Sequence, residues 1–369
     1  METRAAKRKA TSINVSDVQD ENSMKKQRVV LGEISNLPNF TEEPICVKNP
    51  RIKRVAASRK PFSSLDSDFD DQNKALASVS AKSTTNVKFS DPHNFEPIVN
   101  DICSYLSRME RENKRRPMLN YIEKVQCDVT PHMRGILVDW LVEVADEYKL
   151  LPDTLFLSIS YIDRFLSLNP VAKPKLQLLG VSTMMIAAKY EEISPPHVED
   201  FVLITDNTYD KSEVVKMEAD ILKSLCFEMG NPTAKTFLRR FAGIGSENIK
   251  AKKLQFEHLC NYLAELSLLD YSCLKFLPSL VAASATFLAR YIMWPKMHPW
   301  TSNLCKSTGY NVAELKECVL ILHDLYMARR GGSFTAIREK YKQNKFKNVA
   351  HLPSPPQLPS PLFEEEYTS

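Results

Sequence analysis

Apolar residues recur at helical spacing along most of the chain between residues 95 and 346. The first such segment predicts one amphipathic helix, with its apolar positions at Ile98, Ile102, Tyr105, Leu106 and Met109. Prolines then interrupt successive helical segments at short intervals, at Pro152, Pro170, Pro174, Pro195, Pro196, Pro232 and Pro295. Few segments alternate as strands do, so the pattern predicts an all-α body.

Two segments are apolar on nearly every side, Leu176 to Tyr190 and Leu274 to Tyr291. Helices of this kind are normally enclosed by others. Each segment opens with Leu-x-x-Leu, and the two openings lie 98 residues apart. This spacing suggests a weak duplication of one unit, in which several helices surround a central helix.

The two ends of the chain differ from this body. Residues 1–94 are rich in Ser, Thr, Asn, Asp and Lys and lack a sustained helical period, so we expect a disordered regulatory arm. Five prolines lie between residues 351 and 361, and we expect 351–369 to be an extended, Pro-rich tail. The helical body divides into 95–229, an N-terminal helix with a first unit, and 230–350, a second unit.

Composition supports a helical body without catalytic chemistry. Nine glycines in 369 residues amount to about 2.4%, against an average of about 7%, which disfavours sheets, phosphate loops and dinucleotide folds. The eight cysteines include no C-x-x-C pair, so no zinc ribbon is indicated. Because no phosphate loop, hydrolase or kinase motif is present, we expect no metal, no cofactor and no enzymatic activity of the chain itself.

The net charge of +4 is unevenly distributed. Residues 1–61 carry 13 Lys and Arg against 7 Asp and Glu, a net of +6, which leaves a net of −2 for the remainder. A body this close to neutrality does not favour direct nucleic-acid binding. The longest nearly uninterrupted apolar run, Leu178 to Ala188, is far shorter than the roughly 18 residues of a membrane span, and no signal peptide is evident. We expect a soluble, intracellular protein without a membrane partner.

Arg134 projects into the middle of the apolar arc of a helix predicted over Met133 to Lys149. An unpaired guanidinium in that position would cost several kcal/mol. Asp163 lies on the apolar face of the next helix, Asp153 to Leu166. We therefore predict a buried ion pair between Arg134 and Asp163 that joins the two helices.

The first of these helices has more apolar surface than its own core requires. Its arc spans about two thirds of the circumference, where a surface helix needs only about 100°. The arc includes Met133, Leu137 and Trp140 and is edged by Glu143. Two interpretations remain open: the helix is more enclosed than a surface helix, or these residues form a patch on which a partner docks.

Two further charged residues stand in apolar surroundings. Lys189 ends the first central helix, and Glu218 projects onto the apolar face of a later helix that Asp210 and Glu213 can cap. One interpretation is a snorkelling lysine and an unrelated buried acid. The alternative is a charged rim at which a partner binds, because long charged residues are rarely buried without a role.

Several segments resemble the cyclin family, and specifically the A type. Those that resemble the first cyclin box are MRGILVDWL at 133–141, YIDRFL at 161–166 and AAKYEEI at 187–193. Those that resemble an A-type second box are NPT at 231–233, FLRRF at 237–241, LPS at 277–279 and IREKY at 337–341. The resemblance covers about residues 95–350, looks closest to plant members, and implies two tandem cyclin-fold helical domains.

The resemblance implies a regulatory subunit that binds and activates a cyclin-dependent serine/threonine kinase. It places the kinase contacts at Lys189, Glu218, Tyr190, Glu191 and Tyr105. It also implies a docking patch for substrates or inhibitors with Arg-x-Leu motifs, at Met133, Ile136, Leu137, Trp140, Glu143, Leu176 and Gln177. Gly135 stands where many relatives have Ala, and for this reason we expect a slightly looser patch.

The N-terminal arm carries a second resemblance. Arg28, Leu31, Ile34 and Asn36 resemble a destruction box, the element by which ubiquitin ligases of the anaphase-promoting type recognise mitotic cyclins. It implies removal by ubiquitin-dependent proteolysis in the control of the cell cycle.

Short polar motifs at both ends of the chain suggest a signal for nuclear import and sites of phosphorylation. The basic clusters at 7–9 and 25–28 are either nuclear import signals or solvated charge, and we expect a nuclear protein with some in the cytoplasm. Ser354-Pro355 and Ser360-Pro361 fit proline-directed kinases.

The alternative function is a DNA-bound, transcription-factor-like use of two cyclin folds. It predicts an N-terminal zinc ribbon and a basic folded surface. The absence of C-x-x-C pairs and the net charge of −2 outside residues 1–61 argue against it.

Overall fold

The computed structural model describes residues 96–247 and 252–364. Over these residues it contains thirteen α-helices and six short 3-10 helices and no β-strand, which confirms the all-α prediction. The α-helices are α1 Glu96–Met109, α2 Tyr121–Lys124, α3 Pro131–Glu147, α4 Pro152–Leu166, α5 Leu176–Glu191, α6 Val198–Ile204, α7 Lys211–Ser224, α8 Ala234–Gly245, α9 Lys253–Leu269, α10 Pro278–Met293, α11 Ser302–Thr308, α12 Val312–Tyr326 and α13 Ala336–Tyr341. The 3-10 helices are Asn113–Arg115, Lys173–Lys175, Tyr271–Lys275, Asn344–Phe346, Val349–His351 and Ser360–Phe363. The predicted arm at 1–94, with its destruction box and basic clusters, lies outside the described residues.

The two predicted central helices are α5 and α10. Every residue from 178 to 188 in α5 and from 281 to 292 in α10 is buried. Helices α4 and α7 pack against α5, whereas α8, α9 and α12 pack against α10. Each domain therefore places one apolar helix inside a layer of others, which is the arrangement that the duplicated pattern predicts.

The second central helix begins four residues later than the sequence pattern suggests. Pro278 occupies its first turn, and Leu277 before it is extended, with φ −68° and ψ 145°. A proline disfavours the helical conformation of the residue that precedes it, so the helix cannot extend back to Leu274. Residues 271–275 form a separate 3-10 helix instead.

The predicted ion pair between Arg134 and Asp163 is present and buried. Arg134 Nε donates to Asp163 Oδ1 at 2.6 Å and its Nη2 donates to Oδ2 at 2.7 Å, with 1% and 2% of the two residues exposed. Burial lowers the pKa of Arg134, but the Asp163 carboxylate more than offsets this effect and the net shift is upward. The guanidinium is thus charged, and the ion pair joins α3 to α4.

Two partners of this pair were not predicted. The Tyr121 hydroxyl donates to Asp163 Oδ1 at 2.8 Å. Arg134 Nη1 donates to the carbonyl of Leu268 at 2.8 Å, at the end of α9 in the second domain. The ion pair therefore connects the two domains as well as two helices of the first domain.

A second contact between the domains is formed by residues 334–336, which we call the clasp. The Phe334 ring stacks on the His132 ring with centroids 5.5 Å apart. Asp139 on α3 accepts hydrogen bonds from the backbone N–H groups of Thr335 at 3.1 Å and Ala336 at 3.0 Å, at the start of α13. Burial raises the pKa of Asp139 to about 6, although these hydrogen bonds act in the opposite direction.

The clasp gives a physical reason for the glycine at position 135, and the expected looseness of the patch stays a prediction. A Cβ atom on Gly135 would lie 2.3 Å from Cζ of Phe334, far inside van der Waals contact. The glycine therefore gives the Phe334 ring room to lie against α3. Its absent side chain serves the contact between the domains.

The C-terminal segment lies against the second domain. Residues 352–363, which we call the strap, contain no α-helix and end in the 3-10 helix Ser360–Phe363. Phe363 is buried, and its ring stacks on that of Phe287 in α10 with centroids 5.7 Å apart. The tail predicted from Pro composition is thus held against the second domain up to this residue.

The buried ion pair yields a stability prediction. We expect Asp163→Asn to lower the free energy of unfolding by about 3–5 kcal/mol, because it leaves the Arg134 guanidinium buried without a counter-charge. Urea denaturation followed by circular dichroism measures this loss. Asp146→Asn is the control, since it removes the half-exposed pair with Lys345 and should cost less than about 1 kcal/mol. Equal losses in the two variants would contradict the assigned role.

The clasp predicts that Gly135→Ala has an effect on stability opposite to the usual effect of this change inside a helix. Alanine is normally favoured over glycine inside a helix by about 1 kcal/mol. We expect Gly135→Ala to destabilise the protein nevertheless by about 1–2 kcal/mol, because the added methyl group meets the Phe334 ring. In a Phe334→Ala background the same change should be stabilising. Thermal melts of the four proteins measure the coupling, and additive effects would show that Phe334 does not constrain this position.

Candidate functional site

Lys189 and Glu218 come together at the surface of the first domain. Lys189 lies in the last turn of α5 and Glu218 in α7, and the Lys189 Nζ to Glu218 Oε1 distance is 2.6 Å. The lysine side chain is 49% exposed and the glutamate side chain 16%. The acid is therefore not unrelated to the lysine, and the pairing is what the interpretation of a charged rim requires. We call the surface around this ion pair the rim; that a partner binds there stays a prediction.

Local sequence places Glu218 at this position. The predicted capping box starts α7, with Glu213 Oε2 accepting from the backbone N–H of Asp210 at 3.2 Å. Val214 and Ile221 of α7 are fully buried, and this side of the helix packs toward α5. Glu218 lies between them along the helix and is carried to the edge of that contact, within reach of Lys189.

The end of α5 is fixed by the residue that follows it. Glu192 Oε1 accepts hydrogen bonds from the backbone N–H of Leu151 at 2.7 Å and from Thr154 Oγ1 at 2.5 Å, at the start of α4. This carboxylate satisfies donors that a helix N-terminus leaves unpaired. It also holds the end of α5 in a fixed relation to α4, so the rim is built on helices whose positions are set.

Tyr190 and Glu191 continue the rim along the chain. Tyr190 is exposed and Glu191 is half-buried. Burial raises the pKa of Glu191, and the nearby Asp153 carboxylate adds to the effect. The two residues thus present an aromatic ring and a carboxylate beside the ion pair.

The structure adds two apolar residues that the sequence analysis did not select. Ile193 is fully exposed, and Phe227 is 68% exposed with φ +59°. Phe227 and Gly230 belong to the loop between α7 and α8. This loop lies beside Tyr190, since a Cβ on Gly230 would be 2.7 Å from the Tyr190 hydroxyl oxygen. Ile193 is the last residue of the quoted motif at 187–193 and could have been found, whereas Phe227 has no periodic signal.

Tyr105 lies on a separate element, α1, whose apolar side faces outward. The exposed residues of this side include Ile98, Ile102 and Tyr105, which follow the predicted three- and four-residue steps. The helix is tied to the second domain by Arg240, which donates to Asn100 Oδ1 at 2.9 Å and to Cys103 Sγ at 2.8 Å. This side of α1 is therefore an apolar surface on a helix with a fixed position.

The apolar residues of the proposed docking patch are mostly enclosed. Met133, Leu137 and Trp140 of α3 and Leu176 of α5 are all buried, which favours the interpretation of α3 as a more enclosed helix. Helices α4, α5, α9 and α13 all pack against α3. Helix α5 approaches especially closely, since a Cβ on Gly180 would lie 2.8 Å from the Leu137 side chain.

The remaining patch residues reach the surface. Ile136 and Gln177 are half-buried and Glu143 is exposed. The Gln177 amide nitrogen is buried and has no hydrogen-bond partner in the described structure. An unsatisfied buried donor is costly, and it marks a position where a partner's carbonyl oxygen would be favoured.

The described residues offer neither a metal-binding cluster nor a membrane-spanning helix. No group of three or more His, Cys, Asp or Glu side chains in 96–247 and 252–364 is placed to hold a metal ion. No helix within these ranges has both the length and the apolar character to cross a membrane.

Comparison with known proteins identifies the family. The model of the cyclin N-terminal domain matches residues 101–230, and that of the cyclin C-terminal domain matches residues 232–355. The chain is 53% identical to Cyclin-A3-4 of Arabidopsis thaliana, over 98% of this chain and 95% of the relative. It is 53% identical to the G2/mitotic-specific cyclin C13-1 of Daucus carota, over 92% and 96% of the two chains.

A solved structure agrees with these matches at the level of fold. A viral cyclin from herpesvirus saimiri superimposes with a TM-score of 0.54 at 19% identity, over 62% of this chain and 96% of that chain. The two family models together cover most of the described residues, and the relatives span nearly the full sequence. The chain therefore belongs to the cyclin family and is similar to the plant A-type cyclins, as its sequence motifs indicated.

Proposed function

We propose that this protein is the regulatory subunit of a cyclin-dependent serine/threonine kinase and that it acts in the cell cycle. The observation that carries the proposal is the rim, where the pair of Lys189 and Glu218 stands beside the exposed Tyr190, Ile193 and Phe227. Exposed apolar side chains around a charged pair are typical of a protein interface. The cell-cycle role is supported by the name of the Daucus carota relative, a G2/mitotic-specific cyclin.

The Lys189–Glu218 pair suits the recognition of a partner helix better than the stabilisation of this chain. A half-exposed ion pair contributes roughly 0–1 kcal/mol to stability. The ammonium group of Lys189 has three N–H donors, and one of them donates to Glu218. The remaining donors and the second carboxylate oxygen can bind backbone groups of a partner. These hydrogen bonds would lose their contact with water on binding, and a partner without matching groups would therefore bind poorly.

Activation of the kinase follows from differential binding. A surface of fixed helices that fits only the active arrangement of the kinase shifts its population toward that arrangement. A preference of about 5.5 kcal/mol converts a 1:99 equilibrium into 99:1. The cyclin contributes no catalytic group, and ATP, magnesium and the phosphoryl-transfer residues belong to the kinase.

Substrate recruitment would use the accessible edge of the docking patch. Ile136 offers a half-buried apolar contact, the Gln177 amide can donate to a peptide carbonyl, and Glu143 carries a charge that attracts arginine. These three properties together suit an Arg-x-Leu peptide of a substrate or inhibitor. The buried Met133, Leu137, Trp140 and Leu176 would form the base on which this edge is supported.

Removal and location of the protein would depend on the N-terminal arm. The destruction box at Arg28, Leu31, Ile34 and Asn36 would be bound by a ubiquitin ligase of the anaphase-promoting type. The basic clusters at 7–9 and 25–28 would direct the protein to the nucleus, with some remaining in the cytoplasm.

The rim is tested by reversing the charge of Lys189 and by removing that of Glu218. We expect Lys189→Glu and Glu218→Ala each to reduce activation of a cyclin-dependent kinase at least tenfold, because the pair then no longer matches the partner's backbone groups. Kinase activity on a peptide without a docking motif measures the effect. Lys211→Glu is the matched control, since Lys211 lies on α7 with Glu218 and the change disrupts an ion pair of the same 2.6 Å length, with Glu199 on α6. Full activation by folded rim variants would remove the assignment.

The destruction box is tested by protein lifetime. Replacing Arg28 and Leu31 with Ala should extend the half-life of the protein in mitotic cells severalfold, because the ligase would lose its contacts. A cycloheximide chase in synchronised cells measures the half-life. Replacing Lys53 and Arg54 with Ala provides a control that changes charge in the same arm and leaves both the motif and the basic clusters intact. Unchanged turnover of the Arg28 and Leu31 variant would contradict the prediction.

A further inference from the structure

The strap is held on the second domain by side chains near its start. The Tyr326 hydroxyl donates to the carbonyl of Leu352 at 2.5 Å, and Arg329 donates to the carbonyl of Pro356. Both donors lie at the end of α12 or just after it. The first half of the strap thus accepts hydrogen bonds from the body through its backbone, outside the 3-10 helix that ends the segment.

The far end of the strap is held by a ring contact. The Phe363 ring lies nearly parallel to that of Phe287, at an interplanar angle of 14°. Lys316 Nζ lies 5.9 Å from the centroid of the same ring. These contacts cover Phe287, which is fully buried in α10. A segment with such separate anchors can open locally at much lower cost than unfolding of the domain.

Ser354 is turned toward the body in the docked strap. His323 Nε2 lies 3.1 Å from Ser354 Oγ and 3.0 Å from the carbonyl oxygen of Pro355. Because a carbonyl can only accept, Nε2 carries the proton, and the serine oxygen shares it. His323 is almost fully buried, and burial lowers its pKa, which favours the neutral ring.

We propose that Ser354 is a phosphorylation site for a proline-directed serine/threonine kinase and that its phosphorylation keeps the strap off the second domain. Ser354 Oγ would attack the γ-phosphorus of a nucleoside triphosphate. The new O–P bond forms as the bond to the β–γ bridging oxygen breaks, the nucleoside diphosphate leaves, and the hydroxyl proton passes to the kinase. This regulation lies beyond the proposed kinase activation and does not depend on which proline-directed kinase acts.

The geometry around His323 explains why the phosphate would release the strap. A hydroxyl fits beside a buried, neutral imidazole with one N–H to share, whereas a phosphate brings about two negative charges at neutral pH. Burial of that charge against a single shared donor is unfavourable. Ser360, the other Ser-Pro serine, is exposed and has no such contact to lose. Its phosphorylation would therefore leave the contact of Ser354 with His323 in place.

The test uses the purified full chain, a proline-directed kinase and ATP with magnesium. Mass spectrometry maps the phosphate, and brief chymotrypsin digestion reports the strap, because Phe363 is buried only while the strap is docked. We expect phosphate on Ser354 and at least tenfold faster cleavage after Phe363. Ser354→Ala should lose the acceleration, and Ser360→Ala, the matched control, should retain it.

Two further variants open the strap from different positions. Phe363→Ala removes the ring anchor, and Arg329→Ala removes the contact to Pro356 at the surface without altering the core. Both should be phosphorylated on Ser354 at least fivefold faster than the natural chain. Absence of phosphate on Ser354 in both variants would overturn the proposal. Slower cleavage after Phe363 in the phosphorylated chain would also overturn it, because the phosphate would then fasten the strap, with Arg329 as its partner.

Discussion

The architecture depends on the buried ion pair between Arg134 and Asp163. A guanidinium with 1% exposure is tolerated only when its donors are used, and three of its nitrogens donate here, two to Asp163 and one to the carbonyl of Leu268. The carboxylate belongs to α4 and the carbonyl to α9. The Arg134 side chain therefore joins α3 to a helix of its own domain and to a helix of the second domain. The position of α5, which packs on α3 and α4, follows from this arrangement.

A second ion pair, of an ammonium group with a carboxylate, serves a different purpose. Lys189 and Glu218 meet at a comparable distance, yet the lysine is half-exposed and the pair contributes little to stability. Burial decides the difference, since a desolvated pair fixes the fold whereas a solvated pair keeps donors and acceptors for a partner. The neighbouring Glu192 links the end of α5 to the start of α4, so this surface has a defined shape before any partner arrives.

The contacts between the domains show how a missing side chain can be structural. Gly135 permits the Phe334 ring to lie on α3, and Asp139 one turn later receives the start of α13. The strap adds a further contact by covering Phe287 with Phe363. The second domain is therefore held at its junction with the first by the clasp and at its own surface by a segment that regular secondary structure does not fix.

The sequence alone determined the helical class, the two central helices and the pair of Arg134 with Asp163, because these features follow from local periodicity, and it singled out Lys189 and Glu218 without settling that they pair. Arg134 and Glu218 were detectable since each projects a charge into an apolar arc; the role of Arg134 followed from its need for a carboxylate, and the resemblance to cyclins implied the role of Glu218. Tertiary structure decided which apolar arcs are covered, so Trp140 proved enclosed and Phe227 proved exposed. It also decided the contact of Gly135 with Phe334, whose 199-residue separation leaves no trace in any local pattern. Local pattern specifies what a helix face requires, and only packing determines which distant residue satisfies it.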